Sequence, residues 1–179
     1  RILLLGPGSS LERHLGAVKR FIIEKKITVA SCSVNVDLYS LPISYLICSS
    51  PRVQKFINSM KSKNNECVFV TPCENDFDEL GVDHCNYQLF YKPDSLIIED
   101  NYCVLGSSKS LIYAIACCIS AGFEEIVLAG FDGYGGNDVR TIEMSHWLDR
   151  IQSDFNVCIS SILPTAYPIK VDSVYSNYG

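Results

Sequence analysis

Two segments of the chain place serine hydroxyls beside glycine directly before a run of helical periodicity. The first is Gly6-Pro7-Gly8-Ser9-Ser10, which follows a short apolar run over residues 2–5. Glycine lets the backbone approach a ligand closely, and the free N–H groups at the start of a helix attract an anion. The loop therefore predicts phosphate binding, with a tight turn that binds nothing as the alternative. It lacks the third glycine of the dinucleotide fingerprint and the lysine of a Walker A loop.

The second segment is Gly106-Ser107-Ser108-Lys109-Ser110, which repeats this arrangement and adds a cation at Lys109. We expect Ser107, Ser108 and Ser110 to bind a second anionic group, with helix capping as the alternative interpretation. Other small polar residues follow predicted strands, namely Ser33, Asn35 and Ser49. The carboxyl ends of parallel strands share one crevice, where ligands of α/β proteins bind. These side chains are therefore predicted to contact a ribose or a base, although Ser and Asn are also common in loops.

A third candidate is Gly130-Phe131-Asp132-Gly133-Tyr134, directly after a predicted buried strand. A carboxylate at the position of Asp132 suits a bound sugar hydroxyl, a metal ion or general base catalysis. Tyr134 is predicted to contact the same ligand. The alternative is that Asp132 only forms a turn before glycine.

Several classes of function are excluded or left without support. The formal net charge of −5 argues against nucleic acid binding, which needs a basic face. Neither a Ser-His-Asp order nor an HExxH motif is present, and His146 lies on a predicted helix, where packing is the expected role. Cys67, Cys73, His84 and Cys85 lack a CxxC pair, so no zinc or other metal site is predicted. No apolar stretch reaches the ~20 residues of a membrane span.

The cysteine content indicates a reducing compartment. The count is nine, an odd number, and five of these residues lie in apolar runs where a thiol acts as a small hydrophobe: Cys48, Cys67, Cys117, Cys118 and Cys158. A cytoplasmic protein without disulfides is therefore expected. Because the chain begins with Arg1 inside a predicted strand, we also expect it to be part of a longer protein.

Strand and helix patterns alternate along the chain, which predicts a single α/β domain over residues 1–179, a three-layer Rossmann-like fold with a mostly parallel sheet. The predicted strands cover residues 2–5, 27–32, 45–48, 66–71, 126–129 and 157–162. The predicted helices cover residues 11–22, 51–61, 111–121 and 139–155. Residues 73–101 form the least regular stretch, with one strand predicted at 88–91.

These blocks resemble the bacterial sialyltransferase-like Rossmann fold that is used with CMP-sugars. The resemblance is carried by the GxGxSL pattern that ends at Leu11 and by residues 122–134, which contain the Gly-x-Asp-x-Tyr block. It implies a CMP-sugar-dependent glycosyltransferase with Asp132 as the base. In that family an insertion after this block forms a lid with the catalytic histidine and tyrosines. Here only residues 135–138 precede the last helix, so His146 is not assigned that role.

The chain also resembles the lidless C-terminal domain of aldolase-type proteins of bacterial surface-polysaccharide loci, which are similar to 4-hydroxy-2-oxovalerate aldolases. Residues 122–144 carry this resemblance, including Asp138, Arg140 and Glu143. It implies an accessory domain that binds a nucleotide or sugar phosphate beside the aldolase (lyase) barrel of the same protein, in glycan or 2-oxo-sugar-acid metabolism. No cofactor is required by the sequence, and a CMP-type nucleotide is a candidate ligand. A glycosyltransferase and a non-catalytic domain that forms homo-oligomers remain the alternatives.

Overall fold

The computed structural model describes residues 1–32, 40–49, 67–72, 83–135 and 138–176. The described strands are β1 (Ile2–Leu5), β2 (Thr28–Ser31), β3 (Tyr45–Ile47), β4 (Val68–Thr71), β5 (His84–Asn86), β6 (Gln88–Tyr91), β7 (Leu96–Ile98), β8 (Tyr102–Leu105), β9 (Glu125–Ala129), β10 (Cys158–Ser161) and β11 (Lys170–Val171). The described helices are α1 (Ser9–Arg13), α2 (Leu15–Lys25), α3 (Ser110–Ser120) and α4 (Val139–Phe155).

The main sheet has eight parallel strands in the order β11-β10-β9-β1-β2-β3-β4-β5, and helices flank it. A second sheet has the order β6-β8-β7, in which β8 is parallel to β6 and antiparallel to β7. The predicted α/β fold of Rossmann-like type with three layers is confirmed. β1 is apolar throughout, and β9 is apolar from Ile126 to Ala129, because a parallel strand covered on both faces exposes neither side to water.

The described residues divide into two compact units, Arg1–Val29 with Phe123–Gly179, and Ala30–Gly122. In the first unit β1 pairs with β9, so that Leu3 lies opposite Val127 and Leu5 opposite Ala129. All of β1 is buried, and α4 contributes the buried Leu148 and Ile151 to the same unit. In the second unit α3 is apolar on almost every side. Eight consecutive residues from Leu111 are buried.

None of the helices in the described part of the chain combines the length and the apolar composition that a membrane span requires.

Several predicted elements are confirmed closely. The last helix has the predicted bounds, Val139–Phe155, and the predicted strand at residues 88–91 is β6. Gly122 ends α3 as expected. Its φ of +80° is a conformation that glycine adopts without strain, and its N–H donates to the Ile119 carbonyl oxygen at 2.9 Å. The predicted helix at residues 51–61 lies outside the described residues.

The prediction of one continuous helix over residues 11–22 is wrong. The helix breaks at His14, which has φ −115° and ψ 16° and separates α1 from α2. The apolar spacing continues across the break, so periodicity alone gives no sign of it.

Residues 83–105 contain three strands besides β6, where the sequence indicated little regular structure. β5 is exposed throughout and carries no apolar pattern, whereas β7 and β8 are apolar but only three and four residues long, within a stretch rich in Asp and Asn.

Two expectations about the end of the chain are also wrong. The strand predicted at residues 157–162, the last one predicted, is not the last in the structure, because β11 follows it and pairs with β10. β11 has only two residues, Lys170 and Val171, so it is too short to show the alternation of apolar and polar residues that predicts a strand. Cys158 was expected to be buried, but it is exposed at the first position of β10.

Candidate functional site

Three loops of the first unit follow neighbouring parallel strands. Because β9 pairs with β1 on one side and with β10 on the other, the carboxyl ends of these three strands lie side by side. The loop after β1 is the predicted segment 6–10, and the loop after β9 is the predicted segment 130–134. The sheet therefore brings together two of the candidate segments, which are more than 100 residues apart in the sequence.

The glycines of the first loop are required by contact with the second. A Cβ atom on Gly6 would lie 2.5 Å from the Gly130 carbonyl oxygen, and one on Gly8 would lie 2.6 Å from both that oxygen and Cγ of Asp132. The backbone joins the two loops as well. The N–H of Gly6 donates to the Ala129 carbonyl oxygen at 2.8 Å, and that of Gly8 donates to Gly130 at 2.7 Å. Two donors that the sequence suggested for a phosphate are thus used within the chain.

The carboxylate of Asp132 lies at the start of α1. Its Oδ2 accepts the N–H of Ser10 at 3.0 Å and the hydroxyl of Ser9 at 3.4 Å, while its Oδ1 accepts the hydroxyl of Ser10. A negative charge is favourable there, because the first N–H groups of a helix have no partner within the helix. The anion at this loop is therefore the chain's own side chain, and Ser10 is almost completely buried beneath it.

The loop after β10 holds the loop after β9 from the other side. The hydroxyl of Thr165 donates to the Phe131 carbonyl oxygen at 2.7 Å, and the N–H of Ala166 donates to the carbonyl oxygen of Asp132 at 2.9 Å. Tyr167 is buried beside them. Burial, with smaller contributions from Tyr134 and Asp132, raises the pKa of Tyr167 to about 12, so its hydroxyl is protonated at neutral pH.

Sequence analysis missed Thr165, Ala166 and Tyr167. Their position after a buried strand was the available signal, since that strand ends at the same edge of the sheet as β1 and β9. The stretch has no glycine pattern or charged side chain to mark it.

Tyr134 ends the central loop and is 44% exposed. Its N–H donates to the hydroxyl of Thr141 at 3.1 Å, and the guanidinium of Arg140 lies 4.0 Å from the centre of its ring. Asp138 binds that guanidinium at 2.7 Å and also caps α4 by accepting the N–H of Arg140 at 2.8 Å. Asp138 and Arg140, which carry the resemblance to aldolase-associated domains, thus stabilise the start of this helix and the loop before it.

The remaining predicted binding residues belong to the second unit. Ser107 is buried, and its hydroxyl oxygen accepts the N–H of Lys109 at 3.4 Å. Lys109 occupies the N-cap position of α3, and among the described residues this helix has no side-chain capping hydrogen bond. Ser108 and Ser110 are exposed, and Ser49 is partly buried after β3. Ser33 and Asn35 lie outside the described residues.

The described histidines and cysteines form no metal site. No group of three metal-binding side chains occurs in the described part of the chain, and Cys73 lies outside it. His146 is exposed and lies edge-on to Trp147, whereas Nδ1 of His14 and the Tyr175 hydroxyl form a 2.8 Å hydrogen bond that the sequence did not indicate. Burial raises the pKa of Cys103 and Cys118 to about 12, so these thiols are protonated and unreactive at neutral pH.

Comparisons with known proteins identify the fold. No family model matches the chain, and no curated protein sequence matches it. A solved structure of the sialyltransferase CstII from Campylobacter jejuni, in complex with the substrate analogue CMP-3FNeuAc, is similar with a TM-score of 0.58 and 13% sequence identity. The match covers 99% of this chain and 83% of that chain. The chain therefore has a sialyltransferase-like fold, and the comparisons supply no link to an aldolase.

Proposed function

We propose that this chain binds a CMP-activated sugar and forms the donor-binding domain of a glycosyltransferase. The observation that carries the proposal is the similarity in fold to the sialyltransferase CstII, which extends over 99% of this chain. That structure contains a CMP-sugar substrate analogue. The similarity supports this function better than an accessory role beside an aldolase.

The loops after β1, β9 and β10 support the proposal by their position and rigidity. Ligands of parallel α/β sheets bind outside the carboxyl ends of the strands, and these three loops lie at such ends. Hydrogen bonds fix them to one another, so little conformational entropy is lost when a ligand binds. Within these three loops, the exposed residues of the predicted set are Pro7, Ser9 and Tyr134, and they are the proposed contacts of the donor.

The start of α3 is the proposed contact for a second anionic group. The helix has 11 residues and, among the described residues, no side-chain capping hydrogen bond. The N–H groups of its first turn therefore create a positive electrostatic potential that favours an anion. Lys109 adds a positive charge, and Ser108 and Ser110 present hydroxyls at the surface. The contacts of Ser33, Asn35 and Ser49 with a ribose or base remain predictions.

Catalysis by Asp132 is a separate question from binding. Both of its carboxylate oxygens accept hydrogen bonds from Ser9 and Ser10. A general base must contact the hydroxyl whose proton it removes, so Asp132 has to release at least one of these bonds to act. We therefore propose donor binding as the primary function, with Asp132 as the base if transfer occurs.

Binding of CMP is the test of this function. We expect titration calorimetry with CMP, UMP and AMP to give the highest affinity for CMP. Ligand at 100 times its dissociation constant should stabilise the chain by ~2.7 kcal/mol. A Ser9→Ala variant should bind CMP more weakly, whereas Lys19→Gln, on the exposed side of α2, should bind it like the wild type. Equal or absent binding of the three nucleotides would reject the proposal.

A second measurement separates a transferase from an accessory domain. Release of CMP from CMP-N-acetylneuraminic acid, followed with and without a sugar acceptor, should occur in the wild type and be lost in Asp132→Asn. Binding without release would instead favour the accessory role, for which the aldolase-type barrel is the predicted partner. A cytoplasmic location and homo-oligomerisation also remain predictions.

A further inference from the structure

Arg13 lies at the end of α1, one helical turn beyond the predicted phosphate loop. Its Nε donates to the Ser9 carbonyl oxygen at 3.3 Å, and its Nη2 donates to the Ser9 hydroxyl oxygen at 3.4 Å. Both acceptors are neutral. Among the residues that the structure describes, no carboxylate lies within ion-pair distance of Arg13.

Other arginines of the same unit are neutralised by acidic partners. Arg1 pairs with Glu125, Arg140 with Asp138 and Arg150 with Asp154. A guanidinium has five N–H donors, and the two bonds to Ser9 use only two of those of Arg13. An exposed, oriented guanidinium with donors left over therefore lies beside this loop.

The loop itself has little left with which to bind an anion. The N–H of Gly8 is bonded to Gly130, and the N–H of Ser10 is bonded to Asp132. Asp132 also places a negative charge at the start of α1, which repels a second anion. A phosphate at this loop therefore needs a side-chain cation, and arginine is well suited because its planar fork matches phosphate geometry.

Ser9 connects these groups. Its hydroxyl donates to Oδ2 of Asp132 at 3.4 Å and accepts from Arg13, so it orients the guanidinium relative to the loop. We propose that Arg13 binds the phosphate of the CMP-activated sugar and determines the preference of the site for a phosphorylated ligand. This inference rests on the proposed function, and it assigns the positive charge of that site to a residue outside the Gly6–Ser10 motif.

The test compares CMP with cytidine, which lacks the phosphate. Calorimetric affinities for both are measured with the wild type, Arg13→Gln, Arg13→Lys and Lys19→Gln. We expect Arg13→Gln to weaken CMP binding by about tenfold or more, as for the loss of a hydrogen bond to a charged group, and to leave cytidine binding unchanged. Arg13→Lys should lose less, because it keeps the charge without the fork. Lys19→Gln removes the same charge from the exposed side of α2 and should change neither affinity.

The other outcomes overturn the inference in distinguishable ways. If CMP binding is unchanged in Arg13→Gln, the proposed function stands and the role of Arg13 is rejected. If CMP and cytidine weaken equally, Arg13 acts through the structure of the loop and not through the phosphate. If the wild type binds neither ligand, the proposed function and this inference fail together. Thermal unfolding of each variant checks that the fold is intact.

Discussion

The two glycine–serine segments look alike in the sequence and differ in the structure. In the segment 6–10 the polar groups are occupied by the rest of the chain. The N–H of Gly8 donates a hydrogen bond to the Gly130 carbonyl oxygen, and the N–H and hydroxyl of Ser10 donate to the carboxylate of Asp132. In the segment 106–110 the following helix has no side-chain cap, and the N-cap residue is a lysine. The first segment leads into α1, which has five residues, and the second segment leads into α3, which has 11 residues.

This difference shows what such a motif does and does not predict. Glycine and serine before a helix indicate that an anion is favoured there, because the N–H groups of the first turn need acceptors. They do not indicate whether the anion belongs to a ligand or to the chain. At the first segment it is Asp132. At the second segment, the part of the chain that the structure describes makes no side-chain capping hydrogen bond to the helix, and a second anionic group of a ligand remains the proposed partner.

The largest expected effect comes from adding a methyl group at Gly8. Its φ of −73° suits alanine, so Gly8→Ala should destabilise the chain only through contact, with Cβ 2.6 Å from Gly130 and Asp132. We expect the free energy of unfolding in urea to fall by about 2–3 kcal/mol. Gly16→Ala is the matched control, because its Cβ meets nothing within 4 Å and its helix should gain ~0.5–1 kcal/mol. A neutral Gly8→Ala would show that the glycine is not required for packing.

A smaller loss is expected at the serine hydroxyls, and it should differ between the segments. Ser10→Ala removes a buried hydrogen bond to a carboxylate and should lower the free energy of unfolding by about 1.5 kcal/mol. Ser108→Ala, at an exposed position of the second segment, should change it by less than about 0.5 kcal/mol. In an Asp132→Ala background the effect of Ser10→Ala should largely vanish. Equal losses at the two serines would contradict the contrast between the segments.

The smallest expected effect is a gain at the start of α3. Lys109→Ser supplies a capping hydroxyl and removes a positive charge from the positive end of the helix, so it should raise the free energy of unfolding by about 0.5–1 kcal/mol. CMP-N-acetylneuraminic acid has a second anionic group, the carboxylate of its sugar, and its binding should weaken in Lys109→Ser if the start of α3 receives that group. Stronger or unchanged binding of this donor by the stabilised variant would contradict the proposed contact at α3.

The fold was largely predictable because its strongest elements carry simple patterns. β1 is an unbroken apolar run, as is β9 after Glu125, and α4 has a clear start at Asp138 and the predicted length. The break at His14 was not predictable, because the apolar spacing continues across it, and β5 was not predictable, because all of its residues are exposed. For the site, the sequence identified Gly8, Ser10 and Asp132 as candidates but not Thr165 or Tyr167.

By itself the sequence determined the class of fold and the segments rich in donors, since both follow from local spacing and residue type. Only the tertiary structure decided which partners those donors have. Strand pairing brings Asp132 to Ser10 across more than 100 residues of chain. The same pairing gives Gly6 and Gly8 a steric role, because their loop lies directly against the Gly130 backbone. Hydrogen-bond partners depend on three-dimensional proximity, and no local pattern records them.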